Sequence, residues 1–183
     1  MGQYYKIAFK TGDNKAVVND RKYTGSDYIM AKLMEHSYLG NTLCKAVANV
    51  LTEGKTRLAW IGDYAEDDEV KAATNGELDM KEVWDTEHGH EFKKRDFDYS
   101  HKFLVNHTKG VYISLDDYVA KSRSEWRICP FSLLTAIGNG RGGGDYYGEN
   151  EDRVGTWAWD EISIEDREPE GLEKHDIVFN EDR

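Results

Sequence analysis

Five of the seven residues from Gly138 to Gly144 are glycine, with Asn139 and Arg141 between them, and Asp145-Tyr146-Tyr147 follows directly. Each glycine costs about 0.5–1 kcal/mol of conformational entropy relative to alanine wherever alanine would fit. A chain that folds around such a run needs a backbone that turns tightly there, or something that approaches its amides closely. Consecutive glycine amides form an anion-binding nest, and Arg141 is the positive charge beside it, so a phosphate suits the loop. The pattern is neither of two familiar nucleotide loops, because no Gly-Lys-Ser/Thr follows and no helical pattern opens behind it. Two readings stay open. The loop is a ligand site built from Asn139, Arg141, Gly142, Gly143, Gly144 and Tyr146, or it is a structural turn; in either, Gly143 is expected at positive φ.

The elements around the loop are short. Tyr4 to Lys10 alternates as a strand, and Ala16-Val17-Val18 returns after the Gly12-Asp13-Asn14 turn. Ile29 to Met34 reads as a strand between glycine-containing turns. The clearest helix is Thr42 to Thr52, where Leu43, Ala46, Val47, Val50 and Leu51 make one apolar face behind an Asn41 or Thr42 cap. Leu58 to Ile61 is a strand. Residues 65–100 read as an irregular charged excursion, apart from a short helix within Gly76 to Trp84. Phe103 to Asn106 and Val111 to Leu115 flank His107-Thr108-Lys109-Gly110 as a hairpin. Trp126 to Cys129 reads as a strand stopped by Pro130. Trp157 and Trp159 share a strand face, whereas Ile162 and Ile164 have the opposite parity, so a bulge is expected near Asp160-Glu161. The expected fold is α+β: a mainly antiparallel sheet with one or two packed helices and a glycine-rich loop. Residues 1–168 form one domain and 169–183 an acidic tail.

Charge is unevenly placed. Residues 149–183 carry 13 acidic and 4 basic side chains, which leaves residues 1–148 close to neutral within a total of −11. Such a surface repels nucleic-acid backbones and attracts basic partners, including proteins built to hold nucleic acid. Glu165, Asp166, Glu168 and Glu170 are the candidate partner-binding residues. No apolar run approaches the roughly 18 residues of a membrane span, so the expectation is a soluble, cytoplasmic protein with no membrane contact. Cys44 and Cys129 lack a CxxC partner and read as buried free thiols.

Polar groups at strand ends supply candidate chemistry. Glu35, His36, Asp63, His107 and Asp145 are the candidate catalytic residues, since metal-free RNA cleavage needs a base for the 2′-hydroxyl and a cation or acid for the phosphate. His36 or His107 with Arg141 meets that need. No cofactor is otherwise implied, although Glu35, Asp63 and Asp145 could hold Mg²⁺ if the protein is catalytic. The alternative is that all of these are turn residues and hydrogen-bonded polar groups. His88 and His90 sit in a charged loop and read as solvated. Tyr4, Tyr5, Tyr146, Tyr147, Trp157 and Trp159 could stack bases, or could simply be core.

The blocks Met1-Gly-Gln-Tyr-Tyr-Lys6, Lys32-Leu-Met-Glu-His-Ser-Tyr38, Gly62-Asp-Tyr-Ala65, Leu104-Val-Asn-His-Thr-Lys109, Gly138 to Tyr146 and Val154-Gly-Thr-Trp157 resemble a family of small bacterial and phage proteins with no assigned activity. In size, charge and suspected origin the chain is also similar to type II-A anti-CRISPR proteins, which inhibit Cas9. That likeness implies a phage or mobile-element counter-defence protein in a bacterial host cell. It would bind the basic Cas9 surface or truncate the guide RNA as an endoribonuclease. The alternatives are a small ribonuclease or phosphodiesterase of other role, and a non-catalytic nucleotide- or protein-binding module.

Overall fold

Hydrophobic alternation on both faces of its first strand forces this chain into layers. A computed structural model describes residues 1–18, 31–85 and 95–181. Strand β1 (Tyr5–Thr11) turns at Gly12 into β2 (Asn14–Val18) and pairs antiparallel on its other side with β3 (Thr56–Gly62). The edge of β3 away from β1 is shared. Near Thr56 it pairs with β7 (Glu161–Glu165), and near Trp60 it takes the two-residue parallel strand β6 (Ala136–Ile137). The sheet continues through the hairpin β4 (Phe103–Asn106) and β5 (Val111–Ser114), and ends on the short parallel strand β8 (Glu173–Lys174). The fold is α+β on a mostly antiparallel eight-stranded sheet, as the sequence led one to expect.

Tyr5, Ile7, Phe9, Leu58 and Trp60 face one core, beneath α2 (Thr42–Thr52). Asn41 caps α2 by accepting from the Leu43 amide at 2.8 Å, and Leu43, Cys44, Ala46, Val47, Ala48 and Leu51 are buried, with Val50 at the margin. Ala8, Ala59 and Ile61 have the opposite parity and face a second core with Val70 and Val83, which come from α3 (Asp67–Ala73) and α4 (Met80–Trp84). Lys6 is buried on that side. Its Nζ donates to the Val83 and Trp84 carbonyls at the end of α4, both at 3.1 Å, and lies 5.1 Å from the Trp84 ring.

Five expectations are corrected. Ala31 makes a single bridge with Tyr5, and Leu33–His36 then forms one helical turn, α1, instead of continuing a strand; Ile29 and Met30 lie outside the described residues, as do His88 and His90. The charged run after Ala65 is α3, held by a capping box between Glu66 and Glu69. Leu115–Lys121 is a further helix, α5, capped by Ser114, and Pro130–Leu134 is α6, with only a bridge from Ile128 to Tyr38 where a strand was expected. Trp157 and Trp159 do not share a face: Trp159 has φ of 62°, which turns it into the second core while Trp157 stays in the first. Residues 169–183 are expected to be an acidic tail, yet the described part, 169–181, carries β8, buries Ile177, Val178 and Phe179, and returns to bridge Gly148 through Glu181.

Candidate functional site

The glycine run wraps two side chains, Gln3 just before β1 and Tyr5 at its start. Gln3 is fully buried, and its Nε2 donates to the Gly138 carbonyl at 2.9 Å. A Cβ on Gly142 would lie 2.5 Å from the Gln3 Cβ and 2.9 Å from its backbone nitrogen, so the two chains pass too closely for any side chain there. Gln3 N donates to Gly143 O, and Gly143 N to Met1 O, which stitches the loop to residues 1–3. Positive φ falls at Gly138, Gly140 and Gly144; Gly143, where it was expected, does not need it.

The loop's anion is its own. Asp145, only 6% exposed, accepts from the amides of Gly140, Arg141 and Gly142 through Oδ2 at 2.8, 2.8 and 2.9 Å. Its Oδ1 accepts from the Tyr5 hydroxyl at 2.9 Å. Burial, and then the Asp145 charge beside it, push the Tyr5 phenol far up, so it stays a donor. The nest that sequence reasoning offered to a phosphate is filled by this carboxylate. Arg141 is likewise engaged: its guanidinium donates to Tyr64 O at 2.9 Å and pairs with Glu69 at 2.8 Å. Asn139 and Tyr146 bond each other reciprocally across the loop mouth, at 2.8 and 3.0 Å, and Tyr146 is fully buried with its ring against Phe179.

The candidate acids and bases do not all converge. Asp63 accepts from Tyr4 N at 3.0 Å, and burial, with a smaller push from the nearby Asp145 charge, raises its pKa. Glu35 pairs with Lys32 at 2.8 Å, and His36 Nδ1 accepts from the Lys32 amide at 3.0 Å, beside the loop because Met34 N donates to Gly144 O. His107 is elsewhere. Its amide donates to Glu161 O, and Glu161 pairs with Arg57, five residues before Gly62 on β3; at the usual strand rise that is roughly 17 Å away. Its Nε2 lies 2.7 Å from Ser163 Oγ, which donates to Glu165 at 3.0 Å. While the hydroxyl proton points at Glu165, the hydrogen between the two groups lies on Nε2, and in that arrangement His107 is a donor to Ser163. Among the described residues no three His, Cys, Asp or Glu side chains converge as a metal site. The base-stacking reading fails for Tyr5, Tyr146, Trp157 and Trp159, which are core; Tyr147 is exposed.

Burial, and then the Lys55 charge, lower the His107 pKa below its ordinary 6.5, while Glu165 and Glu161 oppose them. The unfolded chain therefore binds a proton that the folded one resists. This contribution to stability is complete above about pH 6.5 and is lost as pH falls through that value toward the lowered one. Thermal melts between pH 7.5 and 5 should show a smaller fall for His107→Gln than for the parent; equal falls would remove His107 as the source.

The acidic candidates are displayed outward. Asp166, Glu168 and Glu170 are exposed on the turn after β7, and Glu165 is half-buried against His107. Asp166 pairs with Lys102, and Glu168 accepts from the Tyr112 hydroxyl. Comparison with family models, with curated proteins and with solved structures finds no match. Sequence reasoning missed Gln3 as the loop's anchor, which no local pattern marks. It also missed Asp145 as the loop's internal anion, for which an Asp closing a run of glycine amides was the available signal.

Proposed function

We propose that this protein is a non-catalytic binding module for a basic protein that handles nucleic acid, with guide-loaded Cas9 the first partner to test. One contrast carries the reading: Asp145, His36 and His107 are tied by hydrogen bonds into the fold, while Asp166, Glu168 and Glu170 present exposed carboxylates on one turn, the first two held only by surface contacts to Lys102 and Tyr112. Acidic surfaces of this kind steer association with cationic partners and weaken with salt. Among the described residues no helix is long and apolar enough to cross a membrane.

The test mixes the protein with Cas9 and guide RNA, measures DNA cleavage, and runs the RNA on a denaturing gel. Lost cleavage with intact RNA is the expected result. Shortened RNA would replace the reading with catalysis, and unchanged cleavage would remove Cas9 as the partner. The triple variant Asp166→Lys, Glu168→Lys, Glu170→Lys should weaken binding to a basic partner about tenfold or more at low salt. Its melting temperature should hardly move, because exposed ion pairs contribute roughly 0–1 kcal/mol. Glu165 is left in place because it ends the His107–Ser163 chain. Unchanged affinity in calorimetry would exclude this turn from the interface.

A further inference from the structure

Away from the glycine loop, a groove of about 510 Å³ opens between the segment after α1, the residues before β4, α5 and the residues before α6. Its walls are two aromatic pairs. Tyr38 and Trp126 meet edge-on at 5.1 Å between ring centres, and Phe97 and Tyr99 at 4.7 Å. In an edge-on pair the ring that presents its edge keeps both of its faces unused by its partner. Trp126 is 65% exposed, far more than a residue of its size needs to be in a chain that buries Trp60, Trp157 and Trp159 completely or nearly so. Three carboxylates line the same groove: Asp98, Asp116 and Glu125. Two cations share it. Lys45 is already held by Asp96 at 2.7 Å, and Arg127 is exposed on the rim.

Electron-rich ring faces together with carboxylates form a receptor for a cation. A guanidinium suits them best, since it stacks flat on an aromatic ring and bonds carboxylates along its edge. We propose that this groove receives an arginine side chain from the basic partner, with Trp126 and Tyr38 as the stacking surface and Glu125 and Asp98 as the carboxylate side. The proposal rests on the basic-partner reading and adds to it a specific seat, distinct from the diffuse attraction of the Asp166–Glu170 turn. Arg127 opposes the incoming charge, so its removal has the opposite sign from every other change in the groove.

The probe is a hexa-arginine peptide, with hexa-citrulline as the uncharged control, titrated by calorimetry in low salt. Trp126→Ala should weaken arginine-peptide binding about tenfold and Trp126→Phe less, as expected for loss of a partly desolvated cation–π contact. The double change Asp98→Asn, Glu125→Gln should weaken it comparably, Arg127→Ala should strengthen it, and citrulline should not bind. Melting temperatures identify any variant that has lost its fold, and Trp126→Phe preserves the test if Trp126→Ala is one. Equal affinities for parent, Trp126→Ala and Trp126→Phe, with only the Asp166–Glu170 charge reversal weakening binding, would overturn the groove and leave the acidic-surface reading standing. Absence of arginine-peptide binding by the parent would overturn both. Weakening by Arg127→Ala would show that the seat is not one for a cation.

Discussion

Asp145→Ala should lower folding stability by about 3 kcal/mol, because it removes one acceptor from three backbone amides and a buried phenol, each worth roughly 1 kcal/mol when satisfied. Water will replace part of the loss at Gly140 and Arg141, which are exposed, but not at Tyr5, which is 1% exposed. Asp145→Asn keeps one oxygen for the amides and turns an amide group toward the Tyr5 oxygen, so it should cost about 1 kcal/mol. A catalytic carboxylate would give the opposite ranking of effects, with activity lost and stability kept. Urea unfolding of the two variants decides between them. An Asp145→Ala protein as stable as the parent would show that the loop holds its shape without its internal anion.

Val47→Asp should be more damaging still. Val47 is 1% exposed in the centre of the α2 face that packs on β7 and the first core. An unpaired carboxylate there must either be desolvated or take up a proton, and the lost apolar packing adds to the cost. We expect about 4 kcal/mol or more, a large share of the 5–15 kcal/mol that holds a typical domain folded. The variant should accumulate as aggregate or melt without a cooperative transition. A soluble protein with a parental melting curve would mean that α2 turns a different face to the sheet.

Helix α2 was legible because both of its signals are local: an asparagine cap and apolar residues at helical spacing. The β4–β5 hairpin was legible for the same reason, with Gly110 at φ of 68° closing its turn. Helix α3 was not, because Asp67, Asp68 and Glu69 look like a solvated run and Val70 alone among its residues is buried. Its capping box was the readable sign. Helices of four or five residues, such as α1 and α6, are too short for periodicity to mark. Trp157 and Trp159 were misplaced by assuming strand alternation across a segment that turns through a positive φ. The glycine loop was found, but its chemistry was assigned to a visiting anion. Nothing near Gln3 or Tyr5 announces that their partners lie 135 and 140 residues away.

That separation governs how the molecule is assembled. Gln3 and Tyr5 lie just before and at the start of β1, yet their clasp, Gly138 to Asp145, is synthesised some 135–140 residues later. At about 5–20 residues per second, the amino end of β1 waits on the order of ten seconds for it. Until then the buried glutamine and tyrosine positions have no acceptors, and a sheet whose first strand is pinned by its last third carries the slow closure expected of non-local topology. The run of glycines, costly as a static turn, is thus the latch that a late segment closes over an early one.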